Sequence, residues 1–171
     1  MAKVLLADKL PESTARLLQE AGLEVVDKPD LSPDELKKAL ADVEGVICRS
    51  GAKLTADAIE SADRLQAVVR AGVGVDNIDI AAASRKGIVV MNPPGANTIS
   101  TAEHTIALML ALSRNVGPAY ISMREDRWDR KKFTGAELAG MTLGIIGLGR
   151  VGQAVASRAL AFNMNVLGHD P

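Results

Sequence analysis

Thr142-Leu143-Gly144-Ile145-Ile146-Gly147-Leu148-Gly149-Arg150-Val151-Gly152 is a short apolar run that breaks into glycines spaced G-x-G-x-x-G. Such a run followed by that spacing reads as a strand, a tight turn and the opening of a helix. Gly147 makes the turn, Gly149 lets backbone N–H groups approach a pyrophosphate, and Gly152 lets the helix pack closely on the strand. The helix N-terminus adds partial positive charge on the side of the phosphates. A helix is expected over 150–162 and a strand over 165–167, with Asp170 just beyond. There its carboxylate would accept bonds from ribose hydroxyls and repel the extra 2′-phosphate of NADP, so the expected cofactor is NAD.

The same alternation runs through the residues upstream. Strands are expected at 3–7, 24–27, 45–48, 65–69 and 88–91, and helices near 12–21, 33–41, 56–62 and 80–86. Leu17 and Leu18 are expected to face inward, with Gly22 ending the first helix. Ser32-Pro33-Asp34-Glu35 is a capping box with proline at the first helical position. Right-handed crossovers then give a parallel sheet covered on both faces. Next, Asn97 and Ser100-Thr101-Ala102-Glu103 are expected to cap a helix running to about Asn115. That helix is apolar on every face, which implies burial from more than one side, between domains or between subunits.

The fold class is therefore α/β. A doubly wound, flavodoxin-like parallel sheet over residues 1–96 is followed over 97–171 by a linker helix and the first strand–helix–strand unit of a Rossmann domain. One such unit cannot bury both faces of its sheet, so the second domain reads as incomplete.

Composition narrows the function classes. In 171 residues, twenty Lys+Arg stand against twenty-one Asp+Glu, which argues against a bulk nucleic-acid or membrane-surface partner. The few aromatics, Tyr120, Trp128, Phe133 and Phe162, make no platform for stacking bases. The lone Cys48 reads as buried packing, with no disulfide and no metal cluster, as expected in the cytoplasm. The apolar start, residues 4–7, is far shorter than the roughly 7–15 residues of a signal-peptide core.

Two arginines stand where a doubly wound sheet meets ligands. Arg49 and Arg70 each follow a strand, at the carboxyl edge of the sheet, and Arg70 leads into Ala71-Gly72-Val73-Gly74-Val75-Asp76. Guanidinium forks and free N–H groups of a glycine loop suit an anion; loop salt bridges are the alternative. On composition the basic run 127–132 is a solvated surface. His104 and His169 have no acid/base partner nearby in sequence.

These blocks, with Met91-Asn92-Pro93 and Trp128-Asp129-Arg130-Lys131-Lys132-Phe133, resemble the D-isomer-specific 2-hydroxyacid dehydrogenases over essentially the whole chain. The Trp128 block with Arg49 and Arg70 points to the branch that acts on a small phosphorylated 2-hydroxy acid. The resemblance implies that Arg49, Arg70 and Arg130 face the substrate phosphate and carboxylate, with Asn97 and Gly72 lining the same cleft. It also implies that Val73, Arg150 and Val151 join Gly147, Gly149, Gly152 and Asp170 in contacting NAD. The expected reaction passes a hydride from C2 of the hydroxy acid to NAD. The family's catalytic base lies downstream of the dinucleotide fingerprint, so this chain is expected to be inactive alone. A homo-oligomer, dimeric through the linker-helix region, is the implied assembly. A reductase of unphosphorylated 2-hydroxyacids and a non-catalytic binding or dimerisation module are the alternatives.

Overall fold

Alternating short strands and helices organise the first half of the computed structural model, which describes residues 1–171. They are β1 (Lys3–Leu6), α1 (Glu12–Glu20), β2 (Glu24–Asp27), α2 (Pro33–Leu40), β3 (Gly45–Cys48), α3 (Ala56–Glu60), β4 (Ala67–Arg70), α4 (Ile80–Arg85) and β5 (Val89–Met91). All strand pairings are parallel and the order is β2-β1-β3-β4-β5, the doubly wound arrangement expected. The winding reverses between β1 and β3, so the crevice beyond their carboxyl ends is the place where such sheets bind ligands.

Local chemistry sets the helix starts. Ser32 completes the capping box of α2: its N–H donates to Glu35 Oε2 at 2.9 Å and its Oγ accepts from Glu35 N. The Ser32 hydroxyl also donates to Glu35 Oε2 at 2.6 Å, and this bond, with that from the Ser32 N–H, favours the charged carboxylate and holds Glu35 below its usual pKa. Thr55 caps α3, and Asp79 caps α4 by accepting from Ala82 N at 2.8 Å.

Leu5, Val46 and Val68 project from β1, β3 and β4 into one core with Leu36 and Leu40 of α2, Ala58 and Ile59 of α3, and Ala82 and Ala83 of α4. Side chains of a strand alternate between faces. On the opposite face Leu6 of β1 is buried while Ile47 and Val69 are half-buried, so the sheet is covered on both faces as expected, less completely on the second. α1 has no buried residue, and Leu17, expected inward, is 65% exposed while Leu18 is half-buried.

The remaining elements are α5 (Thr98–Ser113), α6 (Val116–Arg124), a 3-10 turn (Arg130–Phe133), β6 (Thr142–Ile146), α7 (Arg150–Ala161) and β7 (Asn165–His169). The chain divides into two compact units, Met1–Ala96 and Asn97–Pro171. In the second, β6 and β7 pair in parallel, and α7 joins them to α5 through Ala102, Ile106 and Val155 with Leu143, Ile145 and Ala154 around them.

Within this chain only Ala102 and Ile106 of α5 are buried, while Leu108 and Leu112 are exposed, so the chain itself covers one stripe of the helix. The expected capping of this helix does change. Asn97 stands at its N-cap without a side-chain bond, and Ser100 to Glu103 lie inside the helix, Ser100 Oγ donating to the Asn97 carbonyl at 3.1 Å. α6 was not anticipated; in it Pro118 sits in the first turn, where a missing N–H costs no helical bond. No helix is long and apolar enough to cross a membrane.

Candidate functional site

Arg70 is the last residue of β4 and pairs in register with Cys48, so Arg49 and Arg70 leave adjacent strands at the same carboxyl edge. The glycine loop lies under the Arg70 guanidinium: a Cβ on Gly72 would stand 2.7 Å from Arg70 Nη1 and 3.2 Å from Cζ. Gly72 thus leaves the room in which the guanidinium lies against the loop. Asn92 Nδ2 pins the loop from the next strand end, donating to the Val73 carbonyl at 2.5 Å.

Neither arginine takes part in an ion pair, and Arg70 Nε is buried without a partner. Loop salt bridges, the alternative reading, are absent. Buried unsatisfied donors are costly, and a charged one at a ligand-binding edge has the chemistry of an anion contact.

Beneath this edge Cys48 is fully buried. Burial pushes its thiol up to about 11, with the negative Asp8 adding to the rise. The thiolate is the nucleophile, so at pH 8 Cys48 is expected to alkylate roughly a hundredfold more slowly than a free thiol of pKa about 8.5. Mass spectrometry after iodoacetamide treatment checks this. Modification is expected only once urea is added, whereas rapid labelling of the folded chain would contradict the packing of β3.

In the second unit the turn after β6 carries the other constellation. Gly147 has φ 95°, a left-handed conformation that suits glycine, and its N–H donates to the His169 carbonyl at 2.7 Å. A Cβ on Gly152 would overlap the Gly147 carbonyl oxygen and stand 3.4 Å from Ile145 Cγ2. The expected packing of Gly152 on the strand is thus mainly packing on the turn. Gly149 is the N-cap of α7, makes no side-chain cap bond, and a Cβ there would meet nothing within 4 Å. Gln153 Nε2 holds the Leu148 carbonyl at 2.7 Å, and Gly168 makes room for the Leu148 side chain, since a Cβ there would lie 2.7 Å from Leu148 Cδ1.

Asp170 follows β7, exposed and in no ion pair. Open space at Gly149, an uncapped helix N-terminus at Arg150 and Val151, and an acidic side chain after the second strand fit a dinucleotide.

Arg130 is exposed at the start of the 3-10 turn and makes no ion pair, unlike Arg127, which pairs with Glu125 and Asp129. Part of the basic run is thus neutralised internally, and Arg130 is not. His104 on α5 and His169 on β7 are exposed and have no side-chain hydrogen bond or ion pair. The structure brings Arg49, Arg70, Gly72 and Val73 to one edge of the first unit. Asn97, Arg130, Gly147, Gly149, Arg150, Val151, Gly152 and Asp170 lie in the second. Sequence reasoning assigned no role to Asp8, Asn77, Asn92, Gln153 and Gly168, which support these loops through contacts that no periodicity reveals.

Comparison with known proteins extends this geometry. The chain is 50% identical over 171 residues to D-3-phosphoglycerate dehydrogenase of Rattus norvegicus, covering all of this chain and 32% of that protein. A crystal structure of a protein from Thermus thermophilus superposes with a TM-score of 0.90 at 38% identity, over 98% of this chain and 56% of that one. The NAD+-bound 3-phosphoglycerate dehydrogenase of Entamoeba histolytica gives a TM-score of 0.78 at 32% identity, over 99% and 54%. The chain thus spans about a third of the curated relative and about half of each solved structure. The family described as D-isomer specific 2-hydroxyacid dehydrogenase, catalytic domain, matches residues 4–166. A doubly wound sheet with unpaired arginines at its edge, a glycine turn spaced G-x-G-x-x-G after β6 and this match place the chain in the D-isomer specific 2-hydroxyacid dehydrogenase family.

Proposed function

We propose that residues 1–171 supply the substrate-anion contacts and the pyrophosphate-binding turn of an NAD-dependent D-3-phosphoglycerate dehydrogenase, whose product is 3-phosphohydroxypyruvate, an intermediate of serine biosynthesis. The observation that carries the reading is Arg70, whose buried Nε lacks any partner at the ligand-binding edge of the sheet. Arg49 and Arg70 bind the phosphate and carboxylate with charge-assisted bonds, and Gly72 keeps the loop against the guanidinium. Arg130 adds a further cation for the phosphate, and Asn97 a polar contact; both are carried by the resemblance. Gly147, Gly149 and Gly152 shape the turn, Arg150 and Val151 open α7 beneath the pyrophosphate, Asp170 takes the ribose hydroxyls and Val73 offers its loop backbone. NAD, when bound, accepts the hydride released from C2.

The hydroxyl proton needs a base oriented by a partner. His104 and His169 have no such partner, so residues 1–171 alone bind ligand without turning it over. The exposed Leu108 and Leu112 of α5 support a dimer contact in the whole protein.

Calorimetric titration of the 171-residue chain with D-3-phosphoglycerate, D-glycerate and NAD tests the reading. D-3-phosphoglycerate is expected to bind more tightly than D-glycerate. Arg70→Gln is expected to weaken it by about tenfold to a hundredfold, the worth of one charged hydrogen-bonding contact. Equal affinity for both acids would overturn the phosphate assignment in favour of an unphosphorylated 2-hydroxyacid. NADH formation above a buffer control would overturn the claim that the base is missing.

A further inference from the structure

Residues 49–52 form the loop that carries Arg49 away from β3, and two side chains from elsewhere in the sequence hold both of its ends. Asp8, just beyond β1, accepts through Oδ2 from Arg49 N at 2.6 Å and from Ala52 N at 3.1 Å. Asn77 donates through Nδ2 to the Arg49 carbonyl at 2.8 Å and to the Ala52 carbonyl at 2.7 Å. All four backbone polar groups of the two end residues are thus satisfied by one carboxylate and one amide. Such groups rarely go unpaired where water has limited access, and here no regular secondary structure supplies the partners.

The remaining Asp8 oxygen faces Gly51 so closely that a Cβ on Gly51 would overlap Oδ1. Gly51 and Asp8 are consequently a matched pair: the carboxylate holds its place only because residue 51 has no side chain. β1 and β3 are the strands between which the winding reverses, so the clamp closes across the switch point itself.

We propose that Asp8 and Asn77 are positioning residues that fix the 49–52 loop and thereby present the Arg49 guanidinium to the substrate anion. This rests on the reading of Arg49 as an anion contact and deepens it. The loop loses little entropy on binding because its backbone is already fixed. Asp8 does not touch the substrate; it acts through Arg49.

The test uses the 171-residue chain, D-3-phosphoglycerate as the probe, and amide hydrogen exchange of the peptide containing residues 49–52. D8A is expected to speed exchange of the loop at least tenfold and to weaken D-3-phosphoglycerate about as much as R49Q does. The double variant D8A/R49Q is expected to be no weaker than either single one. D8N keeps an acceptor oxygen for both N–H groups and is expected to restore slow exchange and affinity. N77D, which sets an oxygen against two carbonyls, should behave like D8A.

G51A is expected to speed exchange and weaken D-3-phosphoglycerate in the wild type and to add nothing in the D8A background, where no carboxylate remains to be displaced. That non-additivity separates positioning from general misfolding. If R49Q weakens binding and D8A does not, the positioning role is overturned. If R49Q leaves binding unchanged, or the wild type does not bind, the anion reading of Arg49 is overturned, and the exchange rates of D8A and D8N then decide the loop-holding role alone. Unchanged exchange in D8A overturns that role as well.

Discussion

Gly152→Ala is expected to destabilise the 97–171 unit by roughly 3 kcal/mol, because the added methyl falls on a backbone oxygen that cannot give way cheaply. The Gly147 carbonyl belongs to a left-handed turn whose own N–H is held by the His169 carbonyl. Moving it away from a Cβ at residue 152 strains that turn or breaks the bond to β7. Relief from the other side would pull α7 off Ile145, against which Gly152 also lies.

The companion variant Gly149→Ala separates fold from ligand. Its Cβ meets nothing within 4 Å and its φ of −64° suits alanine, so stability is expected to stay within about 0.5 kcal/mol of wild type. The same methyl intrudes on the space a pyrophosphate needs, and NAD affinity is expected to fall by at least tenfold. Urea unfolding followed by circular dichroism, with hydrogen exchange of β6 and β7 peptides, reads the stability. Calorimetry reads NAD. Equal instability of the two variants would contradict the different surroundings found for the two glycines.

That contrast shows why the glycine turn and the two edge arginines were legible in the sequence while the side chains that hold their loops were not. The turn after β6 is local: strand, glycines and helix N-terminus lie within a dozen residues, and Gly147 and Gly152 each have a steric reason within that stretch. The capping box of Ser32 and Glu35 is local in the same way and appears with both of its bonds. The strand order also follows from alternation, because right-handed crossovers leave few arrangements of five parallel strands.

What escaped was set by long-range contacts. Asp8 meets Arg49 across forty-one residues, and Asn77 meets it across twenty-eight. A single polar side chain bonding to a distant backbone leaves no period to read. Apolar content alone also does not say which part of a helix its own chain covers. The interior of α5 carries apolar residues around its whole circumference, yet a helix buries only what its neighbours reach, and within the second unit α7 covers the stripe of Ala102 and Ile106. Leu17 failed for a related reason: amphipathic spacing identifies a face of α1, but the core of the first unit lies on the side of α2, α3 and α4.

Ile59→Ala is the second large effect expected, a loss of about 3–4 kcal/mol in the 1–96 unit, within the range for removing a buried branched side chain. α3 spans only Ala56–Glu60, far too short to persist by helix propensity, and its Thr55 cap supplies a single long bond of 3.4 Å. Packing must hold it, and Ile59 is the fully buried side chain by which α3 enters the core between α2 and α4. Deleting three carbons there opens a cavity that the sheet on one side and two helices on the other cannot fill by small shifts. Ile59→Val removes only one methylene and is expected to cost about 1 kcal/mol. Because Tyr120 and Trp128 lie in the other unit, the loss is read by circular dichroism during urea unfolding and by hydrogen exchange of β3 and β4 peptides. The functional consequence follows from connectivity. α3 is the crossover from β3 to β4, the strands that deliver Arg49 and Arg70, so Ile59→Ala should loosen both strand ends and weaken D-3-phosphoglycerate, whereas Leu17→Ala, at an exposed position of α1, should change neither stability nor affinity. A large effect at Leu17 with none at Ile59 would place the core on the wrong face of the sheet.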